Sequence, residues 1–154
     1  MSKSIDARLQ ELSIVLPAAI APVANYVPSV LSGNLLFISG QGAAGSDGRW
    51  LTGRVPDQTG PDEAYQRARA TGIRILAVAR QALGSLDRIQ RVVKVLGFVN
   101  ATAEFHDHPA IINGCSDLFV EVFGERGRHA RSAVGVASLP VNLSVEIEAV
   151  LEIR

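Results

Sequence analysis

The closing stretch of the chain, ARSAVGVASLPVNLSVEIEAVLEIR, runs from Ala130 to Arg154 and threads charges through two apolar runs. Arg131 opens the first run, and Glu146, Glu148 and Glu152 punctuate the second. A guanidinium is a planar fork that matches a carboxylate bidentately. A carboxylate beside it, at Glu146, can hold the fork, or orient a water or a substrate amine. This pattern fits a binding site for a small anion. A structural Arg–Glu pair or a solvated strand end fits the same residues.

Strand alternation gives these residues faces. In Val145 to Ile153 the odd positions are all apolar and are expected to pack on helices, while Glu146, Glu148 and Glu152 point the other way. In the preceding run, Val134 and Val136 suit the helix layer. That leaves Arg131, Ala133, Gly135 and Ala137 on the opposite, open face. If the two strands pair through a connection around Leu139 to Leu143, Arg131 and Glu146 share one side of the sheet. Small residues there would admit another subunit closely, so an oligomer is expected.

The elements that position these strands are readable from period and punctuation. Residues 5–12 suit a short helix. Leu31 to Gln41 reads as a Ser32-Gly33-Asn34 turn followed by an apolar strand. GAAGSDGRW is a glycine-containing loop, and WLTGRV suits a short strand. The clearest helix runs from about Pro61 to Leu83, with Ala64, Ala68, Ile75, Ala79 and Leu83 at helical spacing. Pro61, Asp62 and Glu63 suit its first turn, and Gly72 inside it suggests close packing. Arg88 to Asn100 is rich in β-branched residues and reads as a strand. A second long helix is expected from about Pro109 to Phe123. The order is strands, helix, strand, helix, strand, strand. Two amphipathic helices then share one face of about five or six strands, an α+β sandwich of two layers.

Composition narrows the function. A chain of 154 residues suits one domain, and it needs no disulfide or metal to fold. Formal net charge is zero and no basic stripe appears, so nucleic-acid binding has no electrostatic footprint. One cysteine, Cys115, fits a reducing cytoplasm. Charges at Asp6, Arg8 and Glu11 interrupt any leader-like core, and no membrane span is expected.

Other candidates read as structural. His106 and His108 lie two apart in a loop with no third ligand in view, so no metal site is expected. Cys115 sits on an apolar helix stripe and reads as a buried small hydrophobe. His129, two residues before Arg131, could tune the site by its charge, but reads first as a turn residue at a strand start. GQGAAGSDG matches neither a Walker loop nor a dinucleotide fingerprint.

Two motifs together carry a family likeness. RSAVGVASLPVNLSVEIEAVLEI resembles the C-terminal signature of the Rid (YjgF-type) family, and APVANYVPSVLSGNLLFISGQ is similar to its N-terminal motif. The resemblance covers about residues 17 to 154 of a single domain, with residues 1–16 as an N-terminal extension. It implies a chorismate-mutase-like α+β fold with a mixed sheet, and a homotrimer whose sheets form a central barrel with sites between subunits. The implied chemistry is hydrolysis of small 2-imino or enamine acids to 2-keto acids and ammonia, with no metal or organic cofactor. By motif, Arg131 would clamp the substrate carboxylate and Glu146 would position water or the substrate nitrogen. Tyr26, Ser39 and Asn113 would line the pocket. Ala133 stands where some members carry a Cys and would contribute through its backbone. Ala24-Asn25 replaces the family's Gly-Pro before the tyrosine. The rival readings are a non-catalytic module that holds a small carboxylate, and an endoribonuclease, against which the neutral charge counts.

Overall fold

The computed structural model describes residues 3–154. Five strands and three α-helices follow in chain order: α1 (Ile5–Glu11), β1 (Ser29–Ser32), β2 (Leu35–Gln41), α2 (Pro61–Leu83), β3 (Ile89–Asn100), α3 (His108–Phe123), β4 (Ala130–Val136) and β5 (Val145–Ile153). Both long helices cover one face of a single mixed sheet. The WLTGRV segment makes only isolated bridges, at Trp50, Thr52 and Val55, instead of the expected strand.

Strand order is β1-β2-β5-β3-β4. All neighbours are antiparallel except β3 and β4. β5 therefore lies between β2 and β3, and it does not pair with β4. The expected pairing of the last two strands is corrected here. A strand–helix–strand unit such as β3–α3–β4 has a connection long enough for parallel pairing, so β4 takes the free edge of β3. The chain then crosses the end of β3 to reach β5. That crossing is fixed by Asn100, whose backbone N–H donates to Ser144 O at 2.9 Å and whose side-chain amide donates to Leu143 O at 3.0 Å.

The register also corrects the face of β4. Arg131, Ala133 and Gly135 lie beside Val95, Gly97 and Val99. Those β3 residues are buried under the helices, and a Cβ on Gly97 would come within 2.6 Å of Ile112 on α3. So Arg131, Ala133 and Gly135 face the helix layer, and Val134 faces away, 41% exposed. A Cβ on Gly135 would run into the His108 ring. The small residues of β4 thus make room for α3 rather than for a second subunit.

The core lies between sheet and helices. Val145, Ile147, Ala149, Leu151 and Ile153 of β5 all belong to it, as their alternation indicates. The two long helices pack closely at glycines. A Cβ on Gly72 would sit 3.0 Å from Cys115 Sγ, and one on Gly114 would be driven into the Tyr65 carbonyl. The close-packing role of Gly72 holds, and Cys115 is fully buried. Among the described residues no helix is long and apolar enough to cross a membrane.

Candidate functional site

Arg131 is anchored from α3. Its Nη1 donates to Asn113 Oδ1 at 2.8 Å and to Ser116 Oγ at 3.1 Å. Both protons of that nitrogen are used. Among the described residues Nη2 reaches only the Pro109 carbonyl, at a long 3.5 Å. The fork is held from one side, and its other edge remains free for a carboxylate. Asn113, expected near the site, is beside Arg131. Its first role is to hold the guanidinium.

Ser116 extends the chain of contacts to His129. The His129 Nδ1–H donates to the Gly127 carbonyl at 2.6 Å, because a carbonyl only accepts. In the neutral ring Nε2 then accepts from the Ser116 hydroxyl at 2.9 Å. The Ser116 oxygen keeps a lone pair for Arg131. Burial first, and the positive charge of Arg131 as well, hold the His129 pKa below its ordinary value, despite an opposing effect of the Gly127 carbonyl. The turn reading of His129 missed this contact. Ser116 was missed altogether, although it stands one helical turn from Asn113, a spacing that puts both on one face.

Glu146 lies elsewhere. It pairs with Phe98 on the face turned away from the helices. Arg131 and Glu146 are therefore on opposite faces of the sheet, and the expectation that they share a side is overturned. Burial, reinforced by Glu148, raises the Glu146 pKa above its ordinary 4.5. No hydrogen bond or ion pair among the described residues engages its carboxyl. A Cβ on Gly40 would lie 3.0 Å from Glu146 Cδ, so glycine there admits the carboxylate against β2.

That contact ties Glu146 to the Ser39-Gly40-Gln41 segment, where the β2–β5 register shifts between Ile38 and Gln41. Bulges of this kind re-aim side chains and recur beside active sites. Ser39 Oγ donates to the Val27 carbonyl at 2.7 Å, fastening the loop that carries Tyr26. Tyr26 is exposed and lines a small cavity with Gly40 and Gln41. The structure thus sorts the candidate residues into two groups. Arg131, Asn113 and Ala133 stand at the β4 edge, and Glu146, Ser39 and Tyr26 stand around the β2–β5 bulge.

His106 and His108 line a separate cleft of about 420 Å³ beside Gly135. Among the described residues no group of three or more His, Cys, Asp or Glu is placed to hold a metal ion.

Comparison with known proteins fits this architecture. Residues 6–151 match the family described as "YjgF/chorismate_mutase-like, putative endoribonuclease". The chain is 44% identical to protein TCP17 of Trypanosoma cruzi, over 99% of this chain and 96% of that protein. It is 33% identical to a 2-iminobutanoate/2-iminopropanoate deaminase of Dermatophagoides farinae, over 90% and 93% respectively. A crystal structure of a protein of unknown function from Agrobacterium tumefaciens superposes with a TM-score of 0.90 at 47% identity, covering 97% of this chain and 92% of that one.

Proposed function

The chain belongs to the YjgF/chorismate mutase-like family, and from that premise we propose that it hydrolyses small 2-imino or enamine acids, at sites shared between the subunits of a homotrimer. The observation that carries this reading is the pair of unmatched half-sites. One is a guanidinium fork with a free edge on β4. The other is a half-buried carboxylate on β5 with no partner of its own. They occupy opposite faces of one sheet, so a second copy of the chain is the simplest means of bringing them together. The open face suits such an assembly, since Val30, Phe37 and Val134 are exposed on it.

The chemistry follows from the two halves. Arg131 holds the substrate carboxylate and so fixes the imine carbon. Glu146 takes a proton from a water as its oxygen bonds to that carbon, and the C=N electron pair passes to nitrogen. The carboxyl then returns that proton to nitrogen, which in the protonated imine already carries two hydrogens, and as the C–N bond breaks the hydroxyl proton passes to solvent water, leaving the 2-keto acid and ammonia. A carboxyl pKa raised by burial suits both transfers. The named activity of the Dermatophagoides farinae relative supports this substrate class.

The test is ammonia release from freshly generated 2-iminopropionate. Wild type is expected to exceed the spontaneous rate, and Arg131→Ala to lose about 100-fold of that excess, the scale of a charge-assisted anchor on a reacting group. Folded wild type that leaves the spontaneous rate unchanged would overturn the deaminase reading.

A further inference from the structure

The cavity behind Tyr26 holds a second guanidinium that the half-sites above do not use. Arg74 projects from α2 and is only 9% exposed. Its guanidinium lies over the Trp50 ring, 5.5 Å from the centroid. None of the hydrogen bonds or ion pairs among the described residues involves it. Every other arginine that is mostly buried in this chain finds an oxygen; Arg67, for example, reaches Glu63, Thr52 and Ser144. No nitrogen of Arg74 is both buried and unpaired, so its N–H edge opens on water, and stacking on an indole satisfies none of those donors. Burial lowers the Arg74 pKa.

The cavity around it measures about 60 Å³. A water occupies roughly 10–15 Å³ in such a space, so it holds about four to six heavy atoms. Tyr26 and Gln41 supply polar groups at its rim, and Ile20, Pro22 and Pro28 supply an apolar wall. Trp50 covers one face of the guanidinium, which leaves its edge as the binding surface. A single positive charge with an apolar wall suits a monoanion with a short hydrocarbon end. A phosphate dianion would call for further donors.

We propose that this cavity is a receptor for one small planar carboxylate, of the size of acetate or propionate, gripped by the edge of Arg74 against Trp50 and separate from the Arg131 edge. Its occupant would be a short monocarboxylic or 2-oxo acid. The proposal does not depend on turnover, so it stands or falls apart from the deaminase reading.

Trp50 is the only tryptophan, so its fluorescence and its single indole N–H resonance report this cavity alone. Acetate and propionate, titrated at constant ionic strength, are expected to change both signals saturably, with half-saturation on the order of 1 mM. Acetamide, the neutral isostere, is expected to change neither. Arg74→Gln should abolish the response. Arg74→Lys, which keeps the charge but loses the fork, should weaken it at least about tenfold. Arg131→Ala should leave it intact. No saturable response in wild type up to about 50 mM would overturn the proposal. So would an equal response to acetamide, an undiminished response in a folded Arg74 variant, or loss of the response in Arg131→Ala. If neither Arg74 variant folds, the contrast of acetate with acetamide on wild type decides.

Discussion

At the scale of single residues, Arg131 is held by hydrogen bonds to α3, whereas Glu146 is half-buried without a hydrogen-bond partner among the described residues. The Arg131–Ser116–His129 chain has a direct electrostatic consequence. Arg131 helps depress the His129 pKa below its ordinary 6.5, so Arg131→Ala should move the ring's NMR titration midpoint upward. An unchanged midpoint would show that the cation does not act on the ring. Glu146 makes the opposite kind of prediction. Its pKa is raised in the folded chain, so the unfolded chain gives up the proton first as pH rises. Its ionisation therefore costs stability above the ordinary carboxylate value of 4.5, and the cost is absent well below it. Glu146→Gln should raise the melting temperature at pH 7 to 8 relative to wild type and lose that advantage as pH falls towards 4. Melting curves across that range check the sign. The residue types themselves were legible: Arg131, Asn113, Glu146, Ser39 and Tyr26 were all singled out from sequence. Ser116 was not, because its one-turn spacing from Asn113 stands out only once Asn113 is known to hold Arg131.

At the scale of elements, the interface between the two long helices is the tightest place in the fold. Gly114 faces the Tyr65 carbonyl so closely that Gly114→Ala must push the helices apart. Overpacking of that kind costs about 3 kcal/mol, at the upper end of the usual range because backbone rather than a flexible side chain is struck. Denaturant unfolding of the variant measures it. Cys115 lies in the same interface, and burial pushes its thiol well above the ordinary range. Alkylation should therefore follow global unfolding rather than proceed in the native state; fast native labelling would show that the helices open locally. Both long helices and β3 were readable to within a residue or so, since their apolar period and end signals agree. The pairing and face of β4 were not. Alternation gives the two faces of a strand but not which one the core takes, and Val134 and Val136 outweigh Ala133 and Gly135 in hydrophobicity. The fold instead puts the small residues under α3, because His108 and Ile112 approach β4 and β3 too closely for anything larger at Gly135 and Gly97. The strand–helix–strand order did contain the parallel pairing, through the length of its connection.

At the scale of the whole molecule, the division of the candidate site is the central fact. A strand's two faces cannot meet within one sheet, so Arg131 and Glu146 act together only across an interface. Exposed Phe37 and Val134 offer one, and if the proposed trimer forms there, Val134→Glu should shift it towards monomer in sedimentation while leaving the protomer folded. In the sequence, the proposed oligomer rests on family likeness. Its independent argument, a small-residue stripe on the open face, failed because that stripe faces the helices. The most direct measurement is complementation. Arg131→Ala and Glu146→Gln are each purified, shown to be folded and assembled, and assayed for ammonia release from 2-iminopropionate. They are then mixed in equal amounts, exchanged through mild denaturant and assayed again. Each alone should be nearly inactive. In the mixture, about a quarter of the interfaces should pair an intact Arg131 with an intact Glu146, and about a quarter of wild-type activity should return. A mixture that exchanges subunits yet stays as inactive as its components would contradict a site shared between chains.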